Sequence, residues 1–243
     1  NNDGFMVPEL ISACDDEGDC ISVCPFNPFP TEEVKTESEL SDIFLEKENK
    51  FHPKIGKYNG LFVGYSITHR LTSSSGGMAT YFLTKLLETG FVNHVISVKE
   101  SNKKGEHYDY IISSSCEELS TSSKTRYFPV TLAEAFNLIK SLDGYIAIVG
   151  IACFLKAIRL TQHSDPILKD KIRFLSGIIC GGLKSSFFTE FFCKKVNIPF
   201  KETRFPQYRI KDHNSSASDY SFGCTSDSNE MREIKMKSVG EMW

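Results

Sequence analysis

The stretch Arg70-Leu71-Thr72-Ser73-Ser74-Ser75-Gly76-Gly77-Met78-Ala79-Thr80 constrains this chain more than any other. An apolar run, Leu61-Phe62-Val63-Gly64-Tyr65-Ser66, leads into it and reads as a buried strand. Met78, Phe82, Leu83, Leu86 and Leu87 lead out of it at helical spacing. A strand, a small-residue loop and a helix start form a corner with unpaired backbone N–H groups and the positive end of a helix dipole. Such a corner suits a phosphate. Ser73, Ser74 and Ser75 add hydroxyls, Gly76 and Gly77 allow close backbone approach, and Arg70 and Arg126 offer charge. The glycine spacing fits neither the dinucleotide fingerprint nor the P-loop. An ordinary loop with a serine N-cap explains the same residues, and both readings stand.

Two further corners follow. Tyr145 to Val149 reads as a strand, and Gly150-Ile151-Ala152-Cys153 enters a helix carrying Lys156 and Arg159. Ile172 to Ile179 reads as a strand ending in Cys180-Gly181-Gly182-Leu183-Lys184-Ser185-Ser186, before a helix over Phe187–Lys195. Successive corners of this kind predict an α/β fold, a mostly parallel sheet flanked by helices, with ligands at one sheet edge. Lys184 faces that edge in this reading. Cys153 falls at a helix N-terminus, where a thiol is more acidic, although packing alone also accounts for a cysteine there.

The intervening segments fit the same plan. Val92 to Val98 and Tyr108 to Ile112 read as strands joined by a turn at 102–105, and Ser113-Ser114-Ser115 caps a short helix. Ser123-Lys124-Thr125-Arg126-Tyr127 is basic and rich in hydroxyls, suited to an anion or to a solvated loop. Thr131 and Glu134 have capping-box spacing. Phe205 to Lys211 and Asp219 to Cys224 read as strands at the rim.

The N-terminal stretch carries a different chemistry. Cys14-Asp15-Asp16-Glu17-Gly18-Asp19-Cys20-Ile21-Ser22-Val23-Cys24-Pro25 has three of the four cysteines of the ferredoxin run C-x2-C-x2-C-x3-C-P, together with its proline. Glu17 stands where the second cysteine belongs. Cys14, Cys20 and Cys24 are therefore candidate ligands of an iron–sulfur cluster whose site is incomplete in this chain. Zinc fits less well, because no paired CxxC knuckles or nearby histidines accompany them. Residues 31–58, with Pro53, a charged run and a short amphipathic helix from Ser38 to Lys50, read as a linker to a main domain over 59–243. His52 reads as a surface residue.

Bulk properties exclude several classes. The 243 residues are 40% hydrophobic and carry a net charge of -3, so there is no broad basic field for nucleic acid. No apolar run reaches the roughly 20 residues of a membrane span. Eight cysteines without regular spacing suit a cytoplasmic protein with one metal cluster and buried thiols better than a disulfide scaffold. The chain begins at Asn1 and stops just after Ser238-Val239-Gly240, which reads as a segment of something longer.

Taken in order, these blocks resemble the coenzyme F-420 hydrogenase/dehydrogenase beta-subunit family. Gly64-Tyr65-Ser66, Arg70 and Ser73 to Gly77 resemble its N-terminal block. Gly150 to Cys153 with Arg159 resembles the second, and Gly177 to Ser185 the third. Phe205 and Arg209 to Lys211 fall where the family has another basic stretch. The resemblance implies a ferredoxin-type 4Fe-4S segment over 1–30 joined to a flavin-binding α/β domain, with FAD and the cluster exchanging electrons. It implies that Ser73, Ser74, Ser75, Gly76 and Gly77 cradle the FAD diphosphate, that Lys124 and Arg126 neutralise it, and that Cys153 and Lys184 lie near the cofactor. It implies an oxidoreductase whose partners are a ferredoxin or other redox subunit and a small-molecule hydride partner, coenzyme F-420 in some members. A noncatalytic electron-relay or assembly subunit is the alternative; the cluster run broken at Glu17 favours it, and the three ligand corners favour the oxidoreductase.

Overall fold

The structure, a computed structural model, describes residues 1–10, 12–14, 17–48, 50–101, 103, 106–226 and 230–240. The chain opens with a single helical turn, α1 (Asp19–Ser22), followed by α2 (Glu37–Phe44). The Thr36 hydroxyl accepts from Glu39 N–H while the Glu39 carboxylate accepts from Thr36 N–H, a complete capping box that fixes where α2 starts. A two-residue hairpin, β1 (Phe51–His52) and β2 (Gly56–Lys57), comes next. His52 is exposed, as its sequence context suggests.

Val34 and Leu40 are buried against Leu160. The contact is pinned by Lys156–Glu37 (3.0 Å), His163–Glu33 (2.8 Å) and the Arg159 guanidinium 4.4 Å over the Phe44 ring.

The centre is built from α3 (Met78–Glu88), β3 (His94–Glu100), β4 (Tyr108–Ser113), α4 (Cys116–Ser120), α5 (Ala133–Leu138), β5 (Ile146–Ile151), α6 (Ala152–Ser164), α7 (Pro166–Lys171) and β6 (Ile172–Ile178). The strands form one sheet in the order β4-β3-β5-β6. β3 pairs parallel with β5, and β5 parallel with β6, whereas β4 runs antiparallel to β3. Alternation along the central strands divides the core. Val95, Ala147 and Val149 join Leu83, Val92 and Leu119 under α3 and α4. Ile96, Ile146 and Ile148 join Ala135, Ile139, Ile158 and Leu168 under α5, α6 and α7. Both faces of β5 are therefore covered, which is why its sequence is a continuous apolar run.

The helix starts follow local chemistry. Ser115 caps α4 by accepting from Glu118 N–H at 3.2 Å. Asp165 caps α7 by accepting from Ile167 and Leu168 N–H, with Pro166 at the first helical position. The expected box at Thr131 does not form. Thr131 Oγ1 accepts from Ala133 N–H at 3.2 Å, while Glu134 pairs instead with Lys103 at 2.6 Å.

The C-terminal third adds α8 (Ser186–Lys195) and a separate antiparallel sheet, β7 (Arg204–Lys211), β8 (Tyr220–Thr225) and β9 (Met231–Lys235). Tyr208, Phe222 and Cys224 pack against Phe192 and Cys193 of α8.

The central sheet is mixed: two of its three pairings are parallel, as expected, and β4 is antiparallel at its edge. Two expectations need correction. The strands after residue 200 form their own sheet instead of a rim. Leu61–Ser66 is not a buried strand. Leu61 is 70%, Phe62 94% and Val63 107% exposed, and the segment pairs with no sheet. The reason is topological. The strand preceding α3 would lie most simply beside β3, but β3 already pairs on both sides, with β4 and β5. The turn expected at 102–105 lies, apart from Lys103, outside the described residues.

Candidate functional site

The serine–glycine loop closes on itself. Ser66 N–H donates to Gly76 O at 2.8 Å, Arg70 N–H to Ser66 O at 3.0 Å, and Ser73 N–H to His69 O at 3.0 Å. Gly77 has φ of 77°, and a Cβ there would meet the backbone of His69 and Arg70 at 2.7–2.9 Å. That glycine is required by the packing of the loop on itself. Ser73 and Ser74 are buried and turned inward. Ser73 Oγ lies 3.4 Å from Thr80 Oγ1, and Ser74 Oγ accepts from Thr125 N–H at 3.0 Å. Ser75 is exposed.

The Ser74–Thr125 bond brings segment 123–127 alongside the loop, as does Ser123 Oγ donating to Thr72 O at 3.4 Å. The end of β7 completes the site, because Lys211 Nζ donates to Arg70 O and Ser75 O. Five cations thus gather from three separate stretches of chain: Arg70, Lys124, Arg126, Arg209 and Lys211. Burial, and then the charges of Arg70, Lys124 and Arg209, hold Lys211 below the ordinary lysine range. Burial and Arg126 do the same for Lys124. Among the described residues the one carboxylate paired with any of the five is Glu100, 3.9 Å from Arg126.

Two of these guanidinium groups are only partly satisfied. The Arg126 side chain is 6% exposed, lies 4.9 Å over the Tyr108 ring, and has a buried Nε with no hydrogen-bond partner among the described residues. Arg209 lies 5.0 Å over the Tyr220 ring, and its Nε is likewise buried with no hydrogen-bond partner among the described residues. Buried donors without acceptors are costly, about 1–3 kcal/mol each, and mark a place where an acceptor belongs. A cluster of convergent cations with unsatisfied guanidinium N–H groups matches the oxygen-rich, multiply charged surface of a phosphate or diphosphate.

Other expected site residues are distributed around this cluster. Lys184 Nζ is 5.9 Å over the Phe188 ring, and Phe188 in turn contacts Tyr127 and Tyr208, so Lys184 borders the same aromatic wall. Cys153 is the second residue of α6, half-buried, with Tyr110 of β4 as its neighbour. Arg209 and Lys211 were visible in the sequence only as a basic stretch. Strand alternation, Arg209 and Lys211 two apart on β7, is the signal that puts them on one face.

The N-terminal cysteines lie apart from this cluster in sequence. Cys14 and Cys20 are exposed and Cys24 is half-buried. Among the described residues no three His, Cys, Asp or Glu side chains converge as a metal site. The segment does reach the third corner, where Ser186 N–H donates to Gly4 O at 2.9 Å.

Comparison with known proteins agrees with the arrangement of blocks. Residues 61–137 match the family described as coenzyme F420 hydrogenase/dehydrogenase, beta subunit N-term, and residues 143–241 match the companion family describing the C terminus of the same beta subunit. No curated protein matches the chain. Among solved structures, a chain of the F420-reducing NiFe hydrogenase complex from Methanosarcina barkeri is similar in fold, with a TM-score of 0.52 and 17% identity. The match covers 74% of this chain and 62% of that one. With the two halves of the family matched in order over most of its length, this chain belongs to the coenzyme F420 hydrogenase/dehydrogenase beta-subunit family.

Proposed function

We propose that this chain is the flavin-binding part of an oxidoreductase, and that the cationic cluster holds the diphosphate of FAD. The observation that carries the reading is the pair of buried, unpartnered guanidinium nitrogens of Arg126 and Arg209 amid three further cations. Lys124, Arg126, Arg209 and Lys211 are the groups suited to diphosphate oxygens. Ser75, exposed, and Gly76, half-buried, present the loop to the same ligand, and Gly77 holds the loop's turn beneath them. Ser73 and Ser74 act one step back, holding the loop to Thr80 and Thr125. Tyr127, Tyr220 and Phe188 offer ring faces beside the charges, and Lys184 borders them. Cys153 is proposed near the cofactor on the family's pattern alone.

When bound, the flavin supplies exchange between two-electron hydride chemistry and one-electron transfer. The protein's own residues bind and orient it, and the field of five cations favours the anionic form of any group seated among them. For a 4Fe-4S cluster the support is the spacing of Cys14, Cys20 and Cys24 together with the family, and a ferredoxin or other redox subunit would provide the one-electron partner. A small hydride donor or acceptor, coenzyme F420 among the possibilities, is the proposed substrate, and the cytoplasm the proposed location. No helix among the described residues is long and apolar enough to cross a membrane. The second reading, an electron-relay or assembly subunit without its own substrate, is favoured by the non-converging cysteines.

The test is anaerobic incubation with FAD, removal of free ligand, and a visible spectrum with flavin analysis before and after a hydride donor is added. Retained flavin near one per chain that is bleached and restored supports the enzyme reading. Retained flavin that no small donor reduces supports the relay reading. No retained flavin overturns both assignments of the cationic cluster.

A further inference from the structure

β6 ends the central sheet on one side, and among the described residues no strand pairs with its outer edge. An open edge leaves a row of backbone N–H and C=O groups without ladder partners. The same chain holds a strand-forming segment without a sheet. Leu61, Phe62, Val63 and Tyr65 are apolar, suited to a strand and exposed. The segment is tethered at both ends. Tyr58 N–H donates to Lys50 O at 3.1 Å, and Asn59 Nδ2 to Glu48 Oε1 at 2.6 Å. Ser66 N–H donates to Gly76 O at 2.8 Å, beside the start of α3. Between these tethers, among the described residues, no backbone group of 60–65 is hydrogen-bonded.

The topology selects the edge that this segment fits. The crossover from β5 to β6 carries α6 and α7 on the face of Ile146 and Ile148. α3 covers the other face, where its cluster takes in Val95, Val149 and Phe174 of β6. Crossovers between parallel strands share one hand. With its helix on the opposite face, the crossover through α3 must run the opposite way across the sheet. The strand entering α3 therefore belongs on the β6 side of β3. β5 and β6 fill the nearer positions, which leaves the outer edge of β6. The lengths agree, with residues 61–66 set against Ile172–Ile178.

We propose that residues 61–66 are a strap that closes onto the outer edge of β6 in the same chain, as a fifth strand parallel to it. Alternation puts Phe62 on one face of the sheet and Leu61, Val63 and Tyr65 on the other. Closing takes these side chains out of water and gives β6 its missing ladder. It also makes the serine–glycine loop and the Cys180–Ser185 corner neighbours at the carboxyl edge of the sheet. Lys184 then stands beside the loop that carries Arg70.

Hydrogen–deuterium exchange of the full chain, read by mass spectrometry at a low and a high protein concentration, tests the closure. At both concentrations residues 61–66 should exchange at least about tenfold more slowly than an unstructured peptide of the same sequence. Every amide of 172–178 should be protected, not only the alternate ones that face β5. Adjacent strand residues point their N–H groups to opposite sides, so Phe62→Pro with Val63→Pro removes a ladder donor whichever of the two faces β6. In that variant 61–66 and the outer amides of β6 should become fast together, while β5 stays protected. Unprotected exchange of 61–66 in the unaltered chain overturns the proposal. Protection that appears only at the higher concentration overturns it as well, because the strand is then exchanged between two copies. So does a proline variant that frees 61–66 and leaves β6 unchanged.

Discussion

Gly77 is the position at which the packing of the serine–glycine loop can be measured. Replacing it with alanine puts a Cβ at φ of 77°, where L-residues are disfavoured by about 1–2 kcal/mol. That Cβ would also lie 2.7 Å from His69 C, 2.8 Å from His69 O and 2.9 Å from Arg70 N. All three are backbone atoms, so no side chain can swing away. Relief requires moving the 69–70 turn, and overpacking of this kind costs about 1–3 kcal/mol more. Gly77→Ala should therefore lose about 2–5 kcal/mol, a large part of the about 5–15 kcal/mol that holds a domain together. Gly90 supplies the control. It has φ of 68° but nothing within 4 Å of where an added methyl would sit, so Gly90→Ala should lose only the conformational part, about 1–2 kcal/mol. Urea unfolding of the two variants, with m-values checked for constancy, gives the difference directly. Equal losses would refute the argument that the loop is packed against its own turn. The displaced turn carries Arg70, so Gly77→Ala should also weaken anion binding, whereas Gly90→Ala should not.

Two other perturbations test the surroundings. Tyr208 is buried with its hydroxyl 2.7 Å from Thr189 Oγ1; Tyr208→Phe leaves a buried Thr189 hydroxyl without that partner and should cost about 1–2 kcal/mol by urea unfolding. His107 packs between Phe128 and Phe200, and burial, followed by the charge of Arg204, holds it below the ordinary 6.5. Its neutral form is the one the fold accepts, so its contribution is full above 6.5 and is lost as pH falls through that value towards the lower folded one. The urea midpoint should drop between about pH 7 and pH 5, and His107→Leu should flatten that slope. Lys211 is likewise lowered by burial and its cationic neighbours, so it loses its proton sooner than a free lysine, and anion affinity should begin to fall below the ordinary 10.5 as pH is raised.

Much of the central sheet was legible because its signals are local. The run Ile146 to Val149 is apolar on both faces, and Ser115 and Asp165 are side chains that cap helices wherever they occur. What failed was whatever depends on pairing. Leu61 to Ser66 has the composition of a buried strand, but whether it finds an edge depends on β4, far along the chain, occupying one side of β3. The second sheet was hidden for a similar reason: Phe205 to Lys211 and Asp219 to Cys224 read as strands, but only β9 and the antiparallel register make them a unit. At the site, Arg126 and Lys124 stood out as a basic cluster in sequence. That Lys211, 136 residues beyond Ser75, closes the loop by bonding its carbonyl could not be read from spacing.

The central claim is that the gathered cations seat a flavin dinucleotide, and equilibrium titration with FAD, followed by quenching of flavin fluorescence, tests it most directly. The account predicts saturable binding that weakens as salt is raised. Removing one charged donor in Lys211→Met should weaken it by about tenfold or more, while the exposed Lys201→Met leaves it unchanged. Absence of binding, or equal affinity in Lys211→Met and the unaltered chain, would contradict the assignment.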